Sequence, residues 1–431
     1  MSLLLKSASI ITCDDKGTFI EGGALGIRDG LIDYLGKYEN ELHKKYDRVI
    51  ELKHKTIMPG FVNAHNHAAM TLLRNYADDM KLMDWLFNKI FPMEDKLTEE
   101  GAYWGSSLAM LEMIKGGTTA YCDMYMFMDK AAEAAVQCGI KASLGRGLQG
   151  ESGDDMDYRI SEALELYRSF HKGCEGRIRV NLAPHSVYTC SPAYLEKVAR
   201  VAREIQASVQ IHLSETGDEV TNCVEKYGMS PVKLADRAGL LNEGTIAAHC
   251  VAVDDEDMEI LKERGVNVVH NPGSNMKLAS GISPVKTMAD MGINIALGTD
   301  GASSNNNLDM LEEIRAVSYL QKVVSKDPTA LPVDQVLKMA TVNGAKALGF
   351  ENTGVIREGM AADLIIINTQ KPWYYPRYNT KSAIVYSGNS SDVEYVIIDG
   401  RLIMEKGEII TMDEERILYE VQRIAERMSS M

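Results

Sequence analysis

The sequence predicts an α/β fold: a (β/α)8 TIM-type barrel carrying a small discontinuous β-sandwich domain built from both termini. Three observations predict it. Between about Pro59 and Leu348, short apolar, β-branched runs alternate with longer helical stretches, and eight such runs can be placed. Several of these runs end on a histidine or lead into an aspartate, and a parallel barrel collects the C-terminal ends of its strands on one face. Outside that span, both ends of the chain return to strand and hairpin signals. The expected domains are therefore 59–348 for the barrel and 1–58 with 349–431 for the composite β-domain, a division that 431 residues can fill.

In chain order, Leu3 to Thr12, Gly23 to Arg28, Leu31 to Leu35 and Val49 to Leu52 read as short strands. Asp29-Gly30 is a hairpin signal between two of them. Ile57-Met58-Pro59-Gly60 reads as the turn that closes this region. The eight barrel strands are Phe61 to Ala64, Thr118 to Met124, Lys141 to Leu144, Ile178 to Ala183, Ser208 to Leu213, Thr245 to His249, Val266 to His270 and Ile293 to Leu297. Amphipathic segments such as Tyr194 to Ile205 and Met258 to Arg264 lie between them. The longest insertion, Met70 to Glu100, follows the first strand, where a lid or substrate loop would sit. After Gly349, Ala362 to Asn368, Ala383 to Tyr386, Val393 to Ile398 and Arg401 to Met404 read as β-structure, with Asp399-Gly400 as a turn. A last helix, Glu414 to Met428, has Ile417, Leu418, Val421 and Ile424 on one stripe, to pack on the barrel or on a second subunit.

Composition narrows the function. Apolar residues make up 45%, enough for a large core. A net charge of −15 repels phosphate backbones, so nucleic acid is not expected as a partner. Seven cysteines without a C-x-x-C pair read as reduced thiols in a cytoplasmic protein. The start has too short an apolar run for a signal peptide, and no run approaches the ~20 residues that span a bilayer.

Four short sites then point to one metal centre. His65 and His67 lie two apart at a strand end, so both imidazoles point to the same side and can chelate one ion. His212 ends Val209-Gln210-Ile211; alone it would read as a hydrogen-bonded core residue. Glu215, three residues on, can reach the site without being a ligand, as a general acid/base should; otherwise it is an acid favoured at a helix N-terminus. Asp300 follows an apolar eighth strand and is placed to ligate a divalent ion, although Asp-Gly is also a common turn. Three histidines and a carboxylate leave one open position for water on zinc or ferrous iron. His249 could be a further ligand, but its assigned part is to polarise the nucleophilic water or stabilise a tetrahedral intermediate. His270 is read as structural or outer-shell. The fourth strand offers no lysine to bridge two metals, so a mononuclear centre is expected.

These motifs resemble the amidohydrolase superfamily: His-x-His, His-x-x-Glu, His and Asp on successive strand ends, a split β-domain, and Gly354 through Leu364. Pro59 through His67, Gly117-Thr118-Thr119 and Gly298 through Asn306 are similar to its aminohydrolase and chlorohydrolase branch. The nearest likeness is to the 5′-methylthioadenosine/S-adenosylhomocysteine deaminase family. The resemblance implies metal ligation by His65, His67, His212 and Asp300, a proton shuttle at Glu215 and a stabilising histidine at His249. It implies one divalent ion, zinc first, with iron or manganese as alternatives. It further implies Trp85 against the nucleobase, Glu94 on the ribose hydroxyls, His185 against the nucleoside, and Arg146 with Arg159 facing the 5′ substituent. For Arg159 a plain surface arginine is the alternative reading.

The reaction so implied is hydrolytic deamination of an adenosine derivative, such as 5′-methylthioadenosine, S-adenosylhomocysteine, adenosine or 5′-deoxyadenosine, to the inosine derivative and ammonia. Asp300 would accept a proton from water, and Glu215 would protonate N1 and then the leaving amine. The alternative substrate is guanine or a triazine. A homo-oligomer acting on a small purine nucleoside, with no membrane partner, completes the expectation.

Overall fold

The computed structural model describes residues 2–151 and 157–430; Met1 and Met431, the ends of the expected composite domain, lie outside the described residues. Among the described residues, seventeen strands fall into two sheets. The N-terminal strands are β1 (Leu3–Ile11), β2 (Phe19–Arg28), β3 (Leu31–Lys37), β4 (Arg48–Glu51) and β5 (Lys55–Pro59). The barrel strands follow: β6 (Phe61–Asn63), β7 (Thr118–Tyr125), β8 (Lys141–Leu148), β9 (Ile178–Pro184), β10 (Val209–Leu213), β11 (Thr245–His249), β12 (Asn267–His270) and β13 (Asn294–Leu297). Last come β14 (Leu364–Asn368), β15 (Val393–Ile398), β16 (Arg401–Glu405) and β17 (Glu408–Ile409).

All eight predicted barrel strands are present, parallel and in sequence order. The ring is joined where β6 meets β13: Ala64 N–H donates to Leu297 O at 2.9 Å and Asp300 N–H to His65 O at 3.0 Å. That closure carries the first and last candidate ligands onto adjoining backbone. Gly298 permits it, since a Cβ there would lie 2.8 Å from the His65 backbone N. Below the site, Val62, Ala120, Ile246, Val269 and Ala296 fill the interior, and Ala345, Leu348 and Phe350 close the lower end. The barrel is thus a packed core with chemistry confined to one mouth.

The other nine strands form one mixed sheet from both chain ends, in the order β17-β16-β15-β14-β5-β1-β2-β3, with β4 beside β1. β14 runs antiparallel to β5, joining the two halves of the chain. Alternation on β14 explains its unbroken apolar run: Leu364 and Ile366 enter the sheet's own core, while Ile365 and Ile367 face the barrel core.

Three expectations are corrected. Lys55–Pro59 is a strand and not a turn, because it pairs with both β1 and β14. Ala383 to Tyr386 lies in the helix Thr380–Ser387, whose start Asn379 caps by accepting from Ser382 N–H; a four-residue apolar run does not distinguish strand from helix. In the last helix, Glu414–Ser430, Leu418 is 50% exposed and Met428 takes its place beside Ile417 and Ile424. That helix packs on Glu99–Lys115 of the same chain, with Lys115–Glu414 and Arg427–Glu100 ion pairs at the rim. No helix among the described residues is long and apolar enough to cross a membrane.

Candidate metal centre

His65 and His67 leave the end of β6, His212 lies on β10, and Asp300 follows β13. Each offers one ligand atom, and these atoms all lie within 4.8 Å of one another. Hydrogen bonds fix which nitrogen faces inward. His67 Nδ1 bonds to Met124 O at 2.6 Å and His212 Nδ1 to His185 O at 2.7 Å. Each Nδ1 therefore carries a proton, and the two Nε2 atoms turn inward and face each other 3.2 Å apart. Asp300 Oδ1 sits 3.5 Å from His65 Nε2 and 3.2 Å from His67 Nε2. Its Oδ2 accepts from Ser274 Oγ at 2.7 Å and Ser304 Oγ at 2.8 Å.

This donor set fits a divalent cation. His65 is fully buried, and neither ring nitrogen has a hydrogen-bond partner among the described residues. Such an orphan is costly unless something else satisfies it. Two imidazole nitrogens held face to face beside a carboxylate are what a cation between them stabilises, and three nitrogens with one oxygen suit a zinc-like ion.

The electrostatics agree. Burial pushes His65 down to about 4 and holds His212 well below its ordinary value. Burial acts the same way on His67, but the Asp300 carboxylate outweighs it and raises His67 to about 9. A proton and a cation compete for that Nε2 lone pair. Zinc uptake by the metal-free protein near neutral pH should therefore release a proton, because His67 is protonated there and a ligand must be neutral. Calorimetry in buffers of differing ionisation enthalpy checks this; a buffer-independent enthalpy would contradict it.

Glu215 and His249 stand beside the ligands. Burial raises the Glu215 carboxyl above its usual range, and the neighbouring His249 counters part of that rise. Its Oε2 lies 3.9 Å from His249 Nε2. His249 Nδ1 donates to Asn275 Oδ1 at 2.8 Å, so Nε2 is the atom turned to the site. His270 lies behind it, fully buried, with Nδ1 3.4 Å from Asn275 Nδ2, away from the ligand cluster. Ser214, His249, Cys250 and Asp300 all have left-handed backbones, with φ of 51°, 75°, 45° and 60°. Four such non-glycine residues at three strand ends mark a site whose surroundings hold strained turns in place.

A cavity of about 410 Å³ opens over the cluster. All six residues expected to contact substrate line it: Trp85, Glu94, Arg146, Arg159, His185 and Glu215. Trp85 and Glu94 come from the segment after β6, where Leu82–Trp85 and Phe91–Glu94 flank a π-helical turn, Leu86–Ile90. Pro92 has no N–H and its ring crowds the carbonyl four residues back, which accounts for the widened turn before it. The surrounding walls raise the Glu94 carboxyl, and a Tyr125 hydrogen bond counters part of that rise. His185 is pushed down to about 3 by burial, so its imidazole is neutral. Arg146 is less free than the sequence implied: Nε donates to Glu162 Oε2 at 2.7 Å. Arg159 sits over the Tyr158 ring at the cavity wall.

The sequence reading missed Glu219. Its oxygens accept from Ser214 N–H at 3.1 Å and Glu215 N–H at 2.7 Å, clamping the turn that carries Glu215. Thr216-Gly217-Asp218-Glu219 has the capping-box spacing that could have flagged it. The Thr216 hydroxyl does accept from Glu219 N–H, but the carboxylate bonds one and two residues further back, at Glu215 and Ser214.

Comparison with known proteins finds a model described as the amidohydrolase family matching residues 56–403. The 5-methylthioadenosine/S-adenosylhomocysteine deaminase of Dictyoglomus turgidum is 49% identical over 425 residues, covering 99% of this chain and 98% of that protein. The protein of that name in Acetivibrio thermocellus is 46% identical over 430 residues, covering 99% and 100%. Among solved structures, an adenosine deaminase from Xanthomonas campestris with bound zinc has a TM-score of 0.95 at 33% identity, covering 100% of this chain and 99% of that one.

Proposed function

Because this chain belongs to the amidohydrolase family, we propose that it removes the 6-amino group of 5′-methylthioadenosine, S-adenosylhomocysteine and related adenosines by hydrolysis. The chain is a hydrolase of carbon–nitrogen bonds. The observation that carries the fuller reading is that the four ligand atoms, Glu215 and the cavity with Glu94 all meet at one barrel mouth. His65, His67, His212 and Asp300 are the ligands in this reading, and zinc is the ion, as in the Xanthomonas campestris relative. When bound, such an ion supplies Lewis acidity that brings a water's pKa towards neutrality.

The chain's own groups then divide the work. Asp300 takes the proton of the attacking water. Glu215, whose carboxyl burial raises, donates its proton to N1 of the purine, which makes C6 electrophilic; the resulting carboxylate then takes the proton of the new C6 hydroxyl to the leaving amine and regains its own proton from Asp300. His249 turns Nε2 towards the oxygen that gains charge at C6. Trp85 packs on the base and His185 offers its outward Nε2 to the nucleoside. Glu94 takes the ribose diol, since a recessed carboxylate calls for hydroxyl donors or a cation. Arg146 and Arg159 face the 5′ end.

The domain division at 1–58 with 349–431 and 59–348 is part of this proposal, supported by the change of sheet between Pro59 and Phe61. A cytoplasmic location is supported by seven free cysteines. A homo-oligomer is supported by the exposed Tyr319, Val323 and Val324 along one helix.

A screen in the purine absorbance band over adenosine, its 5′-thioethers and guanine, with metal analysis of the same sample, tests the reading. Turnover of the thioethers is expected; turnover of guanine alone would overturn it. Glu94→Gln should lower kcat/KM on 5′-methylthioadenosine about 10- to 100-fold, the worth of hydrogen bonds to a charged group. An unchanged ratio would remove Glu94 from the ribose.

A further inference from the structure

We propose that Glu313 is a positioning residue for Asp300, acting through two serine hydroxyls and so setting how tightly the chain holds its cation. The proposal rests on the metal-centre reading above. Glu313 lies on the helix Met310–Ser325, outside the barrel, and is fully buried. Its Oε2 accepts from Gly273 N–H at 2.9 Å, and its Oε1 accepts from Asn305 Nδ2 at 2.7 Å. Gly273 precedes Ser274, and Asn305 follows Ser304; these are the two serines whose hydroxyls donate to Asp300 Oδ2. One carboxylate thus grips the residue next to each serine, on the short helix Pro272–Lys277 after β12 and on the turn after β13.

The chemistry requires this side chain. Both partners are N–H donors, so two acceptors are needed; a glutamine would turn its amide nitrogen onto one of them. The contact is also built around Gly273, where a Cβ would fall 2.5 Å from Glu313 Oε1. Asn305 Nδ2 donates as well to Thr299 O at 2.9 Å, tying the brace to the residue before Asp300. The consequence lies in the carboxylate of Asp300. Two hydroxyls occupy Oδ2, and only Oδ1 faces His65 and His67. Asp300 is thereby presented as a one-oxygen ligand with its rotation blocked. Groups that orient a ligand in this way typically change metal affinity about 10- to 100-fold when altered.

Zinc dissociation constants from competition with a chromophoric chelator test the proposal on the full chain. The proteins are wild type, Glu313→Gln, Ser274→Ala with Ser304→Ala, and all three changes together. Glu313→Gln and the serine pair should each weaken zinc by about 10- to 100-fold. Adding Glu313→Gln to the serine pair should change the constant by less than about 3-fold, because the coupling runs through those hydroxyls. The melting temperature of the metal-free forms separates this from loss of fold. If Glu313→Gln does not fold, Asn305→Ser removes the Oε1 contact together with the bond to Thr299 O, keeps the Gly273 contact, and should shift zinc in the same direction. A folded Glu313→Gln or Asn305→Ser with the wild-type constant overturns the proposal, as does a triple variant in which both losses multiply. A wild-type chain that takes up no zinc removes the metal centre itself, and the brace with it.

Discussion

Replacing Glu215 with glutamine is expected to abolish turnover while leaving the metal in place. The amide would keep the size and the buried position of the carboxyl but could neither give nor take a proton. Positioned proton transfer contributes about 10²- to 10⁴-fold, and in the proposed mechanism one group serves both N1 and the leaving amine. The loss should therefore reach the upper end of that range and fall on kcat. Glu215 is 3.9 Å from His249 and is not among the four clustered ligand residues, so metal content should match wild type. Stopped-flow kinetics with metal analysis decide the matter. Residual activity within about tenfold of wild type would reassign the shuttle, with His249 as the next candidate.

Replacing Asp300 with alanine is expected to cost more, because it removes two things together. Oδ1 is the only carboxylate oxygen among the four ligand atoms, and Asp300 is also the proposed acceptor of the water's proton. The Ser274 and Ser304 hydroxyls lose their shared partner at the same time. The protein should fold, since the closure between β6 and β13 uses the backbone N–H of residue 300 and not its side chain. It should bind zinc weakly and show no turnover at any zinc concentration. Recovery of activity in excess zinc would limit Asp300 to ligation alone. Asp300→Asn separates the roles further: its amide oxygen can still face the cation but is a poor base.

The legible and illegible parts of the molecule divide by the range of the interaction. His65 and His67 were readable because the strand period of two puts both on one side, and Asp300 because an apolar run delivers it. The barrel strands were readable because burial on both faces makes each a short apolar block. Ser274, Ser304, Asn275 and Glu313 gave no such signal. They reach the site through contacts between segments remote in the chain, and a serine looks the same in the sequence whether or not it holds a ligand. Glu162 escaped for the same reason: an acid on an exposed helix does not announce which arginine it will hold. Ala383 to Tyr386 failed differently, since four apolar residues fit either period and the cap at Asn379 decided.

The central claim is that the ends of the first, fifth and eighth barrel strands together hold one catalytic ion. Titrating zinc into the metal-free protein while following loss of purine absorbance tests it most directly. Activity on 5′-methylthioadenosine should rise from nothing and level off at one ion per chain, and a His67→Ala chain should stay silent throughout. Full activity in the metal-free protein, or a plateau reached only at two ions, would contradict it.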